Sequence, residues 1–216
     1  MKSYLSIMGA SKAPHAHCYA FVKYDGSNIR CAWSPKRGWY KFGTRKLMID
    51  ETNQYFGKAV TLFQQKYGDE LAKVFKKDKQ LRNCQEITVF SEWFGENSIC
   101  GQHQENDKKD IVLFDINVHK KGFMSPKEFV ETVGHLPVAE LVYQGNLNTE
   151  LILAVRSGSF DCNSKYPIKN KVPEGLVCKG GDKHNLWMAK LKTEVWFEAL
   201  RKYHPVDWEK LEQEDS

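Results

Sequence analysis

The sequence predicts an α+β fold built mainly on antiparallel sheet with flanking helices, and three observations point there. Short apolar runs separated by turn residues fill residues 16–46. Residues 56–77 then switch to an apolar period of three to four. Two short strand-like runs over 175–179 and 186–191 return before a capped helix.

Taken in order, Ala20, Phe21 and Val22 lead Lys23 in on a strand, and Asp25-Gly26 supplies a turn signal, so residues 16–29 read as two strands joined at that dipeptide. This puts a lysine amine at the rim of a sheet. Pro35, Lys36, Arg37 and Gly38 form a basic turn, and Trp39 to Phe42 read as the returning strand, ended by Gly43 ahead of Thr44, Arg45 and Lys46. In the helical stretch Val60, Phe63, Tyr67, Leu71 and Val74 share one face. Gly68 weakens its middle, and Lys73, Lys76 and Lys77 complement its C-terminal dipole.

A strand over residues 86–90 follows, with Glu92 at its end before Trp93, Phe94 and Gly95. Residues 102–110 read as an exposed polar loop and 111–118 as an apolar strand. Asp115 inside that strand needs a partner, which marks a place to look for chemistry. Ser125, Pro126 and Glu128 make a strong helix start, stopped by Gly134 and Pro137. Asn148 caps a second helix through Val155 with Gly158 beyond it, and Thr193 caps a terminal helix with Val195, Trp196, Ala199, Leu200 and Tyr203 apolar.

The chain has 216 residues, 41% hydrophobic and 27% charged, enough for one large domain with a real core. It shows no signal-peptide pattern and no apolar run of membrane-spanning length, so the default setting is cytoplasmic, without a membrane partner, and monomeric. Six cysteines are scattered with no CxxC pair, which favours reduced thiols. His15, His17 and Cys18 lack a second cluster to complete a metal site and read as a polar loop. The formal charge is +5, but residues 194–216 hold seven acids against three bases, so residues 1–193 carry +9. A basic body suits a polyanionic partner such as nucleic acid, although solubility alone also accounts for a charge of this size.

Lys190 and Lys192, two apart on a strand, face the same side of a sheet. A triphosphate or polynucleotide would relieve their repulsion; a charged edge that discourages sheet pairing is the plainer alternative. The ordered set KYDG at Lys23, GTRK at Gly43, VFSEWFG at Val89, VLFDI at Val112, EGLV at Glu174 and WMAKLK at Trp187 resembles the covalent nucleotidyltransferase superfamily of ATP-dependent ligases and RNA-capping enzymes. The nearest likeness is to the RNA ligases that seal nicks in duplex RNA. KxDG alone is weak, whereas six motifs in order span nearly the whole chain.

The resemblance implies the ATP-grasp-like nucleotidyltransferase fold of ATP-dependent ligases, with residues 1–193 as the adenylyltransferase domain and 194–216 as a short helical extension with an acidic tail. The 24 residues after Lys192 are too few for an OB-fold domain, which argues against a capping enzyme. It implies that Lys23 attacks the α-phosphate of ATP and holds AMP as a lysyl phosphoramidate. That chemistry needs an uncharged amine, and an unperturbed lysine titrates near about 10.4, so cationic neighbours and metal would have to lower it. Asp25 looks like the acidic residue of the first motif, Asn28 like a residue assisting the sealing steps, and Arg45 like the arginine contacting nucleotide and 5′-phosphate. Glu92 would receive the ribose hydroxyls, Phe114 would stack on adenine and Val22 would offer its backbone to the base. Glu174 would orient a divalent cation, and Lys190 and Lys192 would hold the α-phosphate. Turned on the residues alone, Asn28 is also a turn residue bonding its own backbone, and Phe114 also ordinary strand core.

ATP and Mg²⁺, with Mn²⁺ as a substitute, are the implied cofactors. Nicked duplex RNA, or RNA or DNA ends bearing 5′-phosphate and 3′-hydroxyl, are the implied partners, together with an accessory RNA-binding protein in place of the C-terminal domain such ligases usually carry. Two further readings compete: a minimal DNA nick ligase, separated by testing ribose against deoxyribose at the 3′ side of a nick, and a nucleic-acid-binding module without turnover, separated by covalent labelling.

Overall fold

The computed structural model describes residues 1–97, 107–160, 174–182 and 184–210. In chain order the strands are β1 (Met8–Gly9), β2 (His17–Lys23), β3 (Gly26–Ser34), β4 (Gly38–Gly43), β5 (Met48–Ile49), β6 (Ile87–Phe94), β7 (Asp110–Val118), β8 (Gly122–Phe123), β9 (Leu141–Asn146), β10 (Gly175–Gly180) and β11 (Trp187–Lys192). The helices are α1 (Gly57–Phe63), α2 (Asp69–Lys77), α3 (Pro126–Val133), α4 (Thr149–Ser157) and α5 (Glu194–Tyr203). The predicted α+β class with mainly antiparallel sheet is the observed one.

The chain divides into two compact units. The first comprises Met1–Tyr4, Ser27–Phe94 and Lys109–Val138, and holds a six-stranded sheet in the order β5-β4-β3-β6-β7-β8. The second comprises Leu5–Gly26, Gly95–Lys108 and Ala139–Ser216, and holds a five-stranded sheet in the order β1-β11-β10-β2-β9. The strands joined at Asp25-Gly26 therefore do not pair: β2 lies beside β10 and β9, and β3 beside β4 and β6. The turn carries the chain from one sheet to the other.

In the first unit the long helical stretch is interrupted by a π turn over Gln64–Gly68. Gly68, whose low propensity weakens the pattern, ends that turn, and its carbonyl accepts from Trp39 Nε1 at 2.9 Å. The ring of Trp39 then meets Phe63 edge to face at 4.9 Å, tying β4 to the helix. The strand predicted over residues 86–90 runs on to Phe94, so Glu92 sits inside β6 opposite Val112 rather than at a strand end. Asp115 has its partner in Tyr4, whose hydroxyl donates to it at 2.9 Å. Burial first, and then the Asp115 carboxylate, push the Tyr4 phenol well above its ordinary value. This aspartate therefore has a partner within the first unit.

In the second unit, period-two alternation gives the sheet two unlike faces. Cys18 and Ala20 of β2, Leu176 and Cys178 of β10, and Ala189 and Leu191 of β11 pack with Leu151 and Val155 of α4. Asn148 caps α4 by accepting from the Leu151 N–H at 2.8 Å, and Gly158 closes it in the left-handed conformation, φ 71°. No strand is predicted from the sequence over residues 141–146, where the structure has β9, an edge strand with Leu141 exposed. The described cysteines, Cys18, Cys31, Cys84 and Cys178, are buried free thiols. Among the described residues no helix is long and apolar enough to cross a membrane. Part of the predicted 102–110 loop lies outside the described residues.

Candidate active site

The face of the second unit's sheet opposite α4 is where the predicted lysines meet. β10 lies between β2 and β11, and its first residue, Gly175, is directly across from Lys23 on one side and Lys192 on the other. Two positions along, Val177 faces Phe21 and Lys190 in the same way. Alternation therefore puts Lys23, Lys190 and Lys192 on one face, with Phe21 and Lys179 beside them. Gly175 has φ 147°, and a Cβ there would lie 1.8 Å from the carbonyl oxygen of Leu191. Only glycine lets β10 start this close to β11.

Glu174, immediately before that glycine, takes both flanking lysines. Lys23 Nζ donates to Glu174 Oε2 at 2.5 Å, and Lys192 Nζ lies 2.9 Å from Glu174 Oε1. The side chains of Glu174 and Lys192 are 3% and 4% exposed, while that of Lys23 is 15% exposed. Lys190 is also buried, at 7%. Three lysines thus share a largely desolvated face with this carboxylate, a setting whose ammonium groups suit an anion such as a phosphate chain. The turn behind it is pinned twice. The Thr193 N–H donates to the Glu174 carbonyl at 3.1 Å, and its hydroxyl oxygen caps α5 by accepting from the Trp196 N–H at 3.2 Å.

Asp25 is buried in the link after β2, at 3% exposure, and Val22 donates its backbone N–H to the Glu140 carbonyl at 2.9 Å. The remaining predicted residues belong to the first unit. Asn28 is half-buried on β3, and Arg45 is exposed in the turn that Thr44 closes by donating its N–H to Leu47 at 2.9 Å. Glu92 is half-buried on β6. Across from it β7 is bulged: Phe90 faces Asp115 and Ser91 faces Leu113, so Phe114 is the extra residue. Its ring is half-buried, edge-on to Tyr4 at 5.0 Å, where ordinary strand core would be fully enclosed. A bulge of this kind re-aims one side chain out of the alternation.

Two residues at this face, Trp196 and Lys179, carry no functional signal in the sequence. Trp196 was legible only as one apolar position of a helix, yet Lys192 Nζ sits 3.6 Å from its ring centroid. Lys179 lies 5.3 Å from the Phe21 ring centroid on the lysine face. Its even spacing from Gly175 along β10 is what puts it there.

As chemistry, the cluster offers an amine nucleophile at the more open edge, a carboxylate to accept its proton or ligate a cation, and ammonium groups to restrain phosphoryl oxygens. The oxygen donors of Glu174 fit Mg²⁺ or Mn²⁺, ions that keep water and phosphate oxygens as their other ligands.

The RNA ligase family model matches residues 16–194. No curated protein sequence matches the chain. Among solved structures, Naegleria gruberi RNA ligase variants with ATP and Mn and with AMP and Mn are similar, at TM-scores 0.66 and 0.65 and identities of 18% and 17%. The same ligase with PPi gives TM-score 0.65 at 17% identity. These matches cover 91–92% of this chain but 57% of the Naegleria chains, so the chain spans a little over half the length of the proteins it resembles. The likeness extends to the fold. From the family match over most of its length, with the motif lysines and glutamate gathered on one sheet face, the chain belongs to the RNA ligase family.

Proposed function

We propose that this chain performs the nucleotidyl transfer of an ATP-dependent RNA ligase, with Lys23 as nucleophile. Its Nζ attacks the α-phosphorus of ATP, an N–P bond forms, the bond from that phosphorus to the bridging oxygen breaks, and pyrophosphate leaves. The proton that Lys23 must lose has an acceptor at hand in Glu174 Oε2, 2.5 Å away. Lys192 and Lys190, on the neighbouring strand, restrain the α-phosphate as charge shifts onto its oxygens. Glu174 would hold a divalent cation together with phosphate oxygens and water, and that ion would neutralise charge on the phosphates. The AMP then passes to a 5′-phosphate end, and a 3′-hydroxyl displaces it, which seals the strand. Nicks in duplex RNA are the substrate this reading favours.

The observation that carries the reading is the shared carboxylate, Glu174, between Lys23 and Lys192. It puts the nucleophile and a phosphate-restraining cation within reach of one group. The test is incubation with ATP labelled in the α-phosphate and Mg²⁺, followed by denaturation. After removal of any AMP already attached, wild type is expected to retain label and Lys23→Ala to retain none. Adding matched RNA and DNA nicks then separates the polynucleotides, and sealing confined to DNA would overturn the RNA assignment.

A further inference from the structure

Resting on the reading above, we propose that Trp196 is a positioning residue for nucleotidyl transfer, acting through Lys192. Lys192 Nζ lies 3.6 Å from the Trp196 ring centroid, well inside the range over which a ring face attracts a cation, and 2.9 Å from Glu174 Oε1. The ammonium is thus held between a carboxylate and an indole. Those two partners differ in what the reaction asks of them. Glu174 must also serve Lys23 and a divalent cation, so its hold on Lys192 weakens when they take it up. The indole face binds neither Lys23's proton nor a cation ligated by the carboxylate, and it keeps the ammonium in place.

The placement of Trp196 is built in. Thr193 bonds the Glu174 carbonyl through its N–H and the Trp196 N–H through its hydroxyl oxygen, so the first turn of α5 is fixed to the residue that also binds Lys192. Trp196 is 3% exposed, and its indole N–H has no hydrogen-bond partner among the described residues. A phenylalanine or leucine would fill this core position without a buried unpaired donor. What the indole adds is the strongest aromatic face for a cation.

The experiment compares wild type, Trp196→Phe and Trp196→Leu in the covalent labelling reaction over a range of ATP concentrations, with a thermal melt of each. Leucine keeps an apolar side chain and removes the ring, and its labelling rate at saturating ATP is expected to fall about tenfold, while phenylalanine recovers to within about threefold. Leu and Phe variants that fall alike, in step with their melting temperatures, would make Trp196 only a core residue and overturn the proposal. So would a Leu variant that labels as fast as wild type. Should Trp196→Leu not fold, growth on fluorinated tryptophan weakens the ring face without changing its shape. It is then expected to slow wild type and leave Trp196→Phe unchanged, and equal effects on both overturn the proposal. Wild type that takes no label overturns the nucleotidyl-transfer reading itself, and with it this role.

Discussion

Lys23 and Lys192 lie directly across from the same residue, Gly175, one on each neighbouring strand, and both reach back to the carboxylate of Glu174. A register slip of one residue would turn either lysine to the α4 face. Strand register and ion pairing therefore specify the same arrangement.

Removing the carboxylate should leave two lysine ammonium groups facing each other with their shared counter-ion gone. With the Lys192 side chain 4% exposed and that of Lys23 15% exposed, solvent screens them weakly. Glu174→Ala is expected to lower unfolding free energy by about 3 kcal/mol. Urea denaturation measures the loss, and covalent labelling by ATP should vanish in the same variant.

Gly175→Ala probes the close approach of β10 to β11. The added Cβ would lie 1.8 Å from the Leu191 carbonyl oxygen, at a backbone φ of 147° that L-residues rarely adopt. We expect a loss of about 2 kcal/mol or more, read from urea denaturation, as the strand shifts to relieve the clash. Labelling should fall with it, because the shift separates Lys23 from Lys192.

Tyr40 gives the fold a signature at alkaline pH. Burial, and then its hydrogen bond to the Glu86 carboxylate, push its phenol up to about 12. An unperturbed tyrosine titrates near about 10, so the folded state keeps a proton that the unfolded chain loses first. The stability this supplies is full below about 10 and is lost as pH rises through about 12. Denaturation of wild type and Tyr40→Phe at a series of alkaline pH values should show that increment in wild type alone.

Tyr4→Phe removes the hydroxyl that donates to Asp115, a carboxylate only 1% exposed. The expected loss is about 2 kcal/mol, measured by thermal or urea unfolding, for a charged group deprived of a buried donor.

Elements carried by local signals were legible in the sequence. Ser125, Pro126 and Glu128 form the capping box of α3 as their order predicts, and Asn148 and Thr193 cap α4 and α5. Lys190 and Lys192 share a face by strand periodicity alone. What local pattern cannot carry is pairing at long sequence separation. Glu174 and Lys23 are 151 residues apart, and nothing in either motif says that β10 runs between β2 and β11. The same holds for Asp115, whose need for a partner was visible but whose partner, Tyr4, lies 111 residues away. The bulge at Phe114 escapes because it is set by the two-against-one register of β6 and β7. Trp196 shows in the sequence only as an apolar helix position, because that pattern is the same whether the residue packs on leucine or on a lysine ammonium.

The most direct test of Lys23 as nucleophile is to locate the attached nucleotide. Wild-type protein is stripped of bound AMP, incubated with ATP and Mg²⁺, digested, and its peptides are sequenced by mass spectrometry. The result expected is one AMP on the peptide containing Lys23, attached at that side chain and absent from every other lysine peptide. AMP found on another residue, with Lys23 unmodified, would contradict it.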